Sequence, residues 1–420
     1  MGIFVLLLSA AYAAEYDCSS CDDCNSTIQE AVSGDVISLT QDISKAFGRC
    51  IEIGLSGITL DCHDHTIGGL GNQNYRHEGI HVTGNDNTIQ NCNIEGFLTG
   101  VNLEGADDNT ITSITSTGSE TSLFLNQGSG NTIENSVLDN LKLGLSQEIH
   151  CSNIIENVLD TENKPFEFIT ETETIIEQEF SSLILCDADG AYLSSIETNL
   201  LSIYYTDNSD LSGITTNGMS ISHSANIVLD NIESVNSGYG IFISDSDNVL
   251  ISNTVLSNNQ WAGIRLNTCT DIVIRDSEIT DNDLGFFFSA SDEIKIFNNR
   301  IGNIEETYSS HSNSDIYWNT TLDPSERSIT GGWLGGNYWE GFSETCDDIN
   351  EDGICDSSYE LDYLPLTDYE VVCETSADTD GNNKIDMEEL MAYIILWKQG
   401  NISMPDLMRA IAFWKAGVGC

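Results

Sequence analysis

Apolar residues recur along this chain with two superposed periods. The shorter is two: Gly240-Ile-Phe-Ile-Ser244 and Asp271-Ile-Val-Ile-Arg275 alternate, as strands with one buried side do. The longer is about 22. Asn87, Asn109, Asn131 and Asn153 stand 22 residues apart, and Ile89, Ile111, Ile133 and Ile155 follow each by two. The cadence returns at Gly218-Met219, Gly240-Ile241, Gly263-Ile264 and Gly285-Phe286, spaced by 22, 23 and 22, beside Val228, Leu250, Val273, Ile294 and Ile316.

A 22-residue unit of two or three short strands, parted by Gly, Asn and Asp turns, cannot bury its apolar side alone. Units stacked about 4.8 Å apart by parallel pairing can. The pattern therefore predicts a parallel β-helix lined by the isoleucines, with the asparagines forming a ladder. Leucine-rich repeats need a Leu-x-x-Leu-x-Leu skeleton that is absent. Between about Glu156 and Asp210 the cadence breaks while alternation persists, which predicts shorter rungs or an insertion. An open solenoid end must be covered. Cys18 to Gly48, with a helical pattern over Ser26 to Val32, suits that task. Cys62 and Cys92 occupy similar places in adjacent units, so a rung-to-rung disulfide fits.

The stretch Gly57-Ile-Thr-Leu-Asp-Cys-His-Asp-His-Thr-Ile-Gly-Gly69 with its 22-residue units resembles the pectin-lyase-like β-helix superfamily. It is most similar to the NosD-like branch, described as periplasmic copper-binding or carbohydrate-binding β-helices. Gly335-Gly-Asn-Tyr-Trp339, Asp348-x-Asn-x-Asp-Gly353 and Tyr363-Leu-Pro-Leu366 look like the way such chains end their solenoid. The resemblance covers roughly residues 25 to 370. It implies a single-stranded right-handed parallel β-helix but no particular activity, because this fold hosts lyases, hydrolases, epimerases and non-catalytic binders.

Charge and cysteine content narrow the setting. Against 67 Asp and Glu stand 14 Lys and Arg, a formal charge of −53, which repels nucleic acid and anionic membranes and attracts calcium. The 13 cysteines suit an oxidising compartment, and Cys18-x-x-Cys21-x-x-Cys24 reads as disulfides before zinc. An odd count leaves one thiol unpaired or intermolecular. Ile3 to Leu8 followed by Ala11-Tyr12-Ala13 reads as a signal peptide, although the usual basic start is missing. The expected product is secreted, extracellular or periplasmic, and not an integral membrane protein. The expected division is a signal peptide over 1–14, an N-terminal cap over 15–57, the β-helix over 58–330, a C-terminal cap over 331–372 and a helical module over 373–420.

That last module holds the strongest chemical motif. In a 12-residue EF-hand loop, Asp378, Asp380 and Asn382 fall at positions 1, 3 and 5, the Lys384 carbonyl at 7, Asp386 at 9 and Glu389 at 12. An all-oxygen set rich in carboxylates suits calcium. The position usually held by Gly is Asn383, which tolerates positive φ. Glu389 to Gly400 repeats as Asp406 to Gly417, two amphipathic helices in which Leu390, Ile394 and Trp397 would meet Leu407, Ile411 and Trp414. The pair resembles a dockerin-like module, which implies a cohesin-like partner, but Asn401-Ile-Ser-Met lacks a second ligand series. A second, weaker calcium candidate is Asp348, Asn350, Asp352 and Asp356, flanked by Cys346 and Cys355.

Catalytic equipment is harder to find. The Asn-Thr-Asp, Gly-His-Gly and Arg-x-Lys signatures of polygalacturonases are missing. Arg265, Arg275 and Lys295 fall on successive units and, on one face with Trp261 as a stacking platform, would bind a carboxylated sugar. His63, His65, His77 and His81 cluster within 19 residues, and His-x-His on a strand would make a copper chelate. The reading that follows is a secreted, calcium-binding, non-catalytic β-helix that engages carbohydrate or a surface. The alternatives are an enzyme on uronic-acid polymers (lyase, hydrolase or epimerase) and a copper-handling maturation factor.

Overall fold

The computed structural model describes residues 13–69, 77–309, 315–350, 352–368, 377, 379, 385–404, 407, 410–411 and 414. The apolar start, Cys373, Cys420, Asp378, Asp380, Asn382 and Lys384 lie outside them. The architecture is an all-β solenoid of the right-handed type, with about 13 turns. Two compact units are formed, one from Met1–Val273, Asp281–Asp292 and Asn303–Asn313, the other from Ile274–Thr280, Glu293–Gly302 and Ser314–Cys420. Among the described residues, α-helix is confined to Cys21–Glu30 and Met387–Lys398. Five disulfides among the described residues agree with an extracellular or periplasmic setting.

The stacking follows the predicted register. Ile89 pairs with Ile111, Ile111 with Ile133 and Ile133 with Ile155, all in parallel strands and all buried. Met219, Ile241, Ile264 and Phe286 repeat this in later turns. The break after Glu156 is a change of rung length. An antiparallel pairing of Val158 with Phe166 comes first, then 18-residue rungs run Thr174↔Tyr192↔Asp210↔Val228. The 22-residue step resumes with Ala225↔Asp247.

The asparagine ladder meets an obligation of the backbone. At the corner before each strand a main-chain N–H is buried and must find an acceptor. Asn87 N donates to Asn109 Oδ1, Asn109 N to Asn131 Oδ1 and Asn131 N to Asn153 Oδ1, each at 2.9 Å. Their amide groups donate in turn to Leu55, Asp107, Ala106 and Gly128 carbonyls. In the 18-residue turns hydroxyls take over: Ala188 N reaches Thr206 Oγ1 and Thr206 N reaches Ser224 Oγ, and across the next, 22-residue step Ser224 N reaches Ser246 Oγ. Cys269 continues this series, its own N donating to Ser291 Oγ. Its thiol is buried and unpaired, and burial pushes it up to about 11. Gly240 is required at a corner, because a Cβ there would fall 2.7 Å from the Gly263 carbonyl oxygen.

The first and last turns of the described solenoid carry special structure. The N-terminal helix begins at Cys21, earlier than the Ser26 expected, because Ser20 caps it through Asp23 N and the Cys18–Cys24 and Cys21–Cys50 bridges fix its first turns. Cys62–Cys92 is the expected rung-to-rung bridge. In the second unit Asn299 donates to Asn337 Oδ1, and the ladder then stops on an acid. Asp362 accepts from Asn337 N, Trp339 Nε1 and Leu364 N. A carboxylate accepts without needing a further acceptor, so it suits a last position. Burial nonetheless outweighs these bonds and pushes Asp362 up to about 6. Gly336 leaves it room, since a Cβ there would lie 2.0 Å from its Oδ1. This explains why Gly335 to Trp339 and Tyr363 to Leu366 occur together.

Replacing Asn131 by alanine strands the Asn109 N–H and the Ala106 carbonyl. Urea unfolding followed by circular dichroism should show a loss of about 2–4 kcal/mol. A loss below about 0.5 kcal/mol would mean that the ladder is ornamental.

Candidate functional site

The strands Met219–Ser222, Tyr239–Ser244, Ala262–Asn267 and Leu284–Ser289 build one face of the first unit. Their alternation sends Ile241, Ile243, Ile264, Leu266, Phe286 and Phe288 inward. It leaves Phe242, Arg265 and Phe287 stacked in register on the outside. The Arg265 guanidinium carbon lies 5.1, 5.0 and 5.0 Å from the ring centres of Tyr239, Phe242 and Phe287. Its Nη1 donates to the Tyr239 hydroxyl at 2.5 Å, while its Nε is buried without an acceptor. Trp261 is 62% exposed and meets Tyr239 edge-on at 5.1 Å. Such an arrangement holds a cation rigidly beside a flat, exposed aromatic surface.

Two of the four expected ligand residues, Trp261 and Arg265, are thus joined through Tyr239. Arg275 and Lys295 do not extend the row. Arg275 ends the strand Thr270–Arg275 and bonds Asp276 at 2.6 Å, and Lys295 sits on Ile294–Phe297. The step from 265 to 275 is ten residues, about half a rung, whereas stacking needs a full one. The full-rung spacing of Phe242, Arg265 and Phe287 was the legible signal for this row.

A polar cluster that sequence reasoning missed lies on Arg49–Ile53, Glu78–Val82 and Thr99–Glu104, three strands in register. Arg49 Nε is 2.8 Å from Glu78 Oε2, and its other nitrogens are 3.7 Å from Glu52 and Glu104. The buried His81 ring stands 2.9 Å from Glu78 and 3.3 Å from Glu104. Asn102 donates to Glu78 at 3.2 Å. Burial pushes the Glu78 carboxyl up, but His81, Arg49 and Asn102 together hold it below the usual carboxylate range. Arg49 and Glu78 are 29 residues apart, off the 22-residue period, which hid the pairing.

The other histidines are dispersed. His63 and Asp64 have φ of 48° and 64°, a left-handed turn, so His63 and His65 do not share a strand face as expected. His63 lies 3.6 Å from Asp61 and His65 3.3 Å from Asp42. His77 is buried against Phe97, with Nε2 3.2 Å from the Lys45 carbonyl. Among the described residues, no three His, Cys, Asp or Glu side chains are grouped to hold a metal ion.

The described part of the EF-hand-type sequence is its exit. Asp386 caps the helix Met387–Lys398 by accepting from Glu389 N, and Glu389 reaches back to Asp386 N. The buried Glu389 carboxylate also accepts from Thr379 N at 2.7 Å and Thr379 Oγ1 at 3.0 Å. Leu390 and Tyr393 form a small core with Leu407 and Ala410, joined by Ile394, Trp397, Ile411 and Trp414. At the weaker candidate, Asp348 accepts from Asp352 N and Gly353 N, Asp352 from Ile354 N and Asn350 Nδ2, and Asp356 from Ile349 N. Gly353 has φ of 84°, and Cys346–Cys355 closes the loop.

Residues 169–344 match the family model described as "Periplasmic copper-binding protein (NosD)". No curated protein matches the chain. Solved structures similar to it include the A-module of mannuronan C-5 epimerase AlgE6 from Azotobacter vinelandii, at 11% identity, covering 72% of this chain and 86% of that one with a TM-score of 0.29. An alginate lyase from Paenibacillus sp. is 13% identical over 72% and 97% of the two chains, with a TM-score of 0.29. PfbA, a surface adhesin of Streptococcus pneumoniae, is 11% identical over 72% and 89%, also at 0.29.

The Glu78 carboxyl, depressed in the fold, contributes stability that is complete above the ordinary glutamate range and is lost as pH falls through its own lower value. Glu78→Gln should therefore flatten the acid limb of the pH–stability curve measured by thermal unfolding. An acid limb identical to that of the wild type would show that Glu78 is not the responsible group.

Proposed function

We propose that this chain is an exported β-solenoid that binds a saccharide on the face carrying Trp261, Tyr239 and Arg265, and that calcium orders its C-terminal module. The observation that carries the reading is Trp261, 62% exposed and set edge-on to Tyr239 beside an aromatic-wrapped arginine. A flat aromatic held beside a fixed cation is a platform that the C–H face of a pyranose covers well. The arginine supplies fixed donors for hydroxyl or carboxyl oxygens.

Calcium at Asp378, Asp380, Asn382, Lys384, Asp386 and Glu389 rests on the ligand spacing, and the burial of the Glu389 carboxylate supports it. The loop Asp348, Asn350, Asp352 and Asp356 is the weaker second site. The ordered helical module would then offer a docking surface to a protein partner, in the manner of dockerin-like modules. A copper-handling role is the second reading, favoured by the description of the matched family. Copper titration of the protein and of its His63→Ala/His65→Ala variant tests it: unchanged uptake in the variant removes those histidines from the role.

Two outcomes follow. Trp261→Ala should weaken retention on an immobilised polysaccharide array about tenfold, equivalent to about 1.4 kcal/mol, without changing the melting curve. EDTA should remove the helical circular-dichroism signal of residues 373–420 while the solenoid melts as before. A helical signal indifferent to EDTA would rule out the calcium reading.

A further inference from the structure

The face around Arg265 has a second property. The positions that alternate with its core residues form two columns one side chain apart, half-buried except for the buried Ser244. The first is Ser220, Phe242, Arg265 and Phe287. The second is Ser222, Ser244, Asn267 and Ser289, paired rung to rung in the same four strands. None of the eight is acidic, in a chain with 67 Asp and Glu. On strands flanking these in the same unit, Asp210, Asp230, Glu233, Asp247 and Asp271 lie outside the core.

The columns are chemically distinct. The first is aromatic and planar, because the three rings around Arg265 hold the guanidinium as one more flat group. The second is a line of hydroxyls and an amide. Ser222 Oγ meets Ser244 Oγ at 2.9 Å. Each hydroxyl keeps free acceptor capacity after such a bond. Trp261 and Tyr239 border the aromatic column.

A carboxylate-free strip in so acidic a chain has two electrostatic explanations. It could receive a polyanion, or it could receive a neutral chain for which carboxylates would be needless desolvation. The magnitudes favour the second. One arginine stands in the strip against a formal charge of −53, and a field of that sign repels every charge along a polyanion. Burying the extra carboxylates beneath a neutral ligand would cost free energy with no partner to offset it. Aromatic stacking beside a hydroxyl–amide row suits a chain that presents C–H faces on one side and hydroxyls on the other.

We infer that this strip binds an extended, neutral polysaccharide, with its sugar rings on the Phe242–Arg265–Phe287 column and its hydroxyls on the Ser222–Ser244–Asn267–Ser289 column. The inference rests on the saccharide-binding reading and narrows its substrate class. Rungs about 4.8 Å apart repeat at a distance comparable with one sugar residue, so each turn adds one equivalent contact. Arg265 serves the chain as a rigid donor to hydroxyls.

The test is tryptophan fluorescence and calorimetric titration of the full chain. The probes are two sets of oligosaccharides of increasing length: neutral (cello-, xylo-, manno- and chito-oligosaccharides, the last N-acetylated) and acidic (oligogalacturonates and oligomannuronates). The expected result is binding by at least one neutral series. Its affinity should rise with length until about four residues, change less than about twofold between low and high salt, and fall about tenfold or more in Phe242→Ala and Trp261→Ala. Preferential binding of the acidic series, weakened by salt and abolished by Arg265→Gln, would overturn this inference while leaving saccharide binding standing. Binding by neither series would overturn both.

Discussion

Everything in this molecule depends on parallel pairing between successive turns, together with the corner side chains that satisfy what pairing leaves over. A strand stacked on another at rung spacing has its N–H and C=O groups matched, but the chain must bend between strands, and at each bend a buried N–H is left pointing along the column. The asparagine ladder answers that need by pairing each such N–H with a side-chain oxygen from the next turn. Because the donor repeats once per turn, its acceptor must too. The 22-residue period in the sequence is the trace of that hydrogen bond as much as of the apolar lining.

The same constraint frees the outer surface. Inward positions are committed to aliphatic packing and corner positions to backbone satisfaction, so recognition chemistry is left to the residues between them. In the first unit those positions fall into sharply different groups: an Arg49–Glu78–His81–Glu104 cluster on three early strands, and an aromatic–hydroxyl surface around Arg265 on later ones. The first satisfies its charges internally, which suits a clasp across strands. The second leaves an arginine without a carboxylate and a tryptophan in solvent, which suits a receptor.

The fold was legible because its rule is periodic. Ile89, Ile111, Ile133 and Ile155 lie in register as the spacing required, and Cys62 found Cys92 for the same reason. What escaped was whatever departs from the period. The helix start moved to Cys21 because Ser20 and two disulfides act locally. His63 left its strand because a left-handed turn intervenes. The Arg49–Glu78 pair was invisible because the early turn between them is longer than 22 residues. Arg275 was wrongly grouped with Arg265 because being on consecutive units is not the same as being a full turn apart. The role of Asp362 could not be read at all, since a ladder's final acceptor is defined only by the absence of a successor.

Cys269 stands where neighbouring turns use Ser or Thr to receive or relay a corner N–H, and the thiol fills that place with its proton held firmly by burial. A sulfur so enclosed is chemically silent while the turn is intact and becomes an ordinary nucleophile once it opens. The molecule therefore carries its own sentinel. The rate at which an alkylating reagent claims that sulfur measures how often this stretch of the column breathes, without any label having to be introduced.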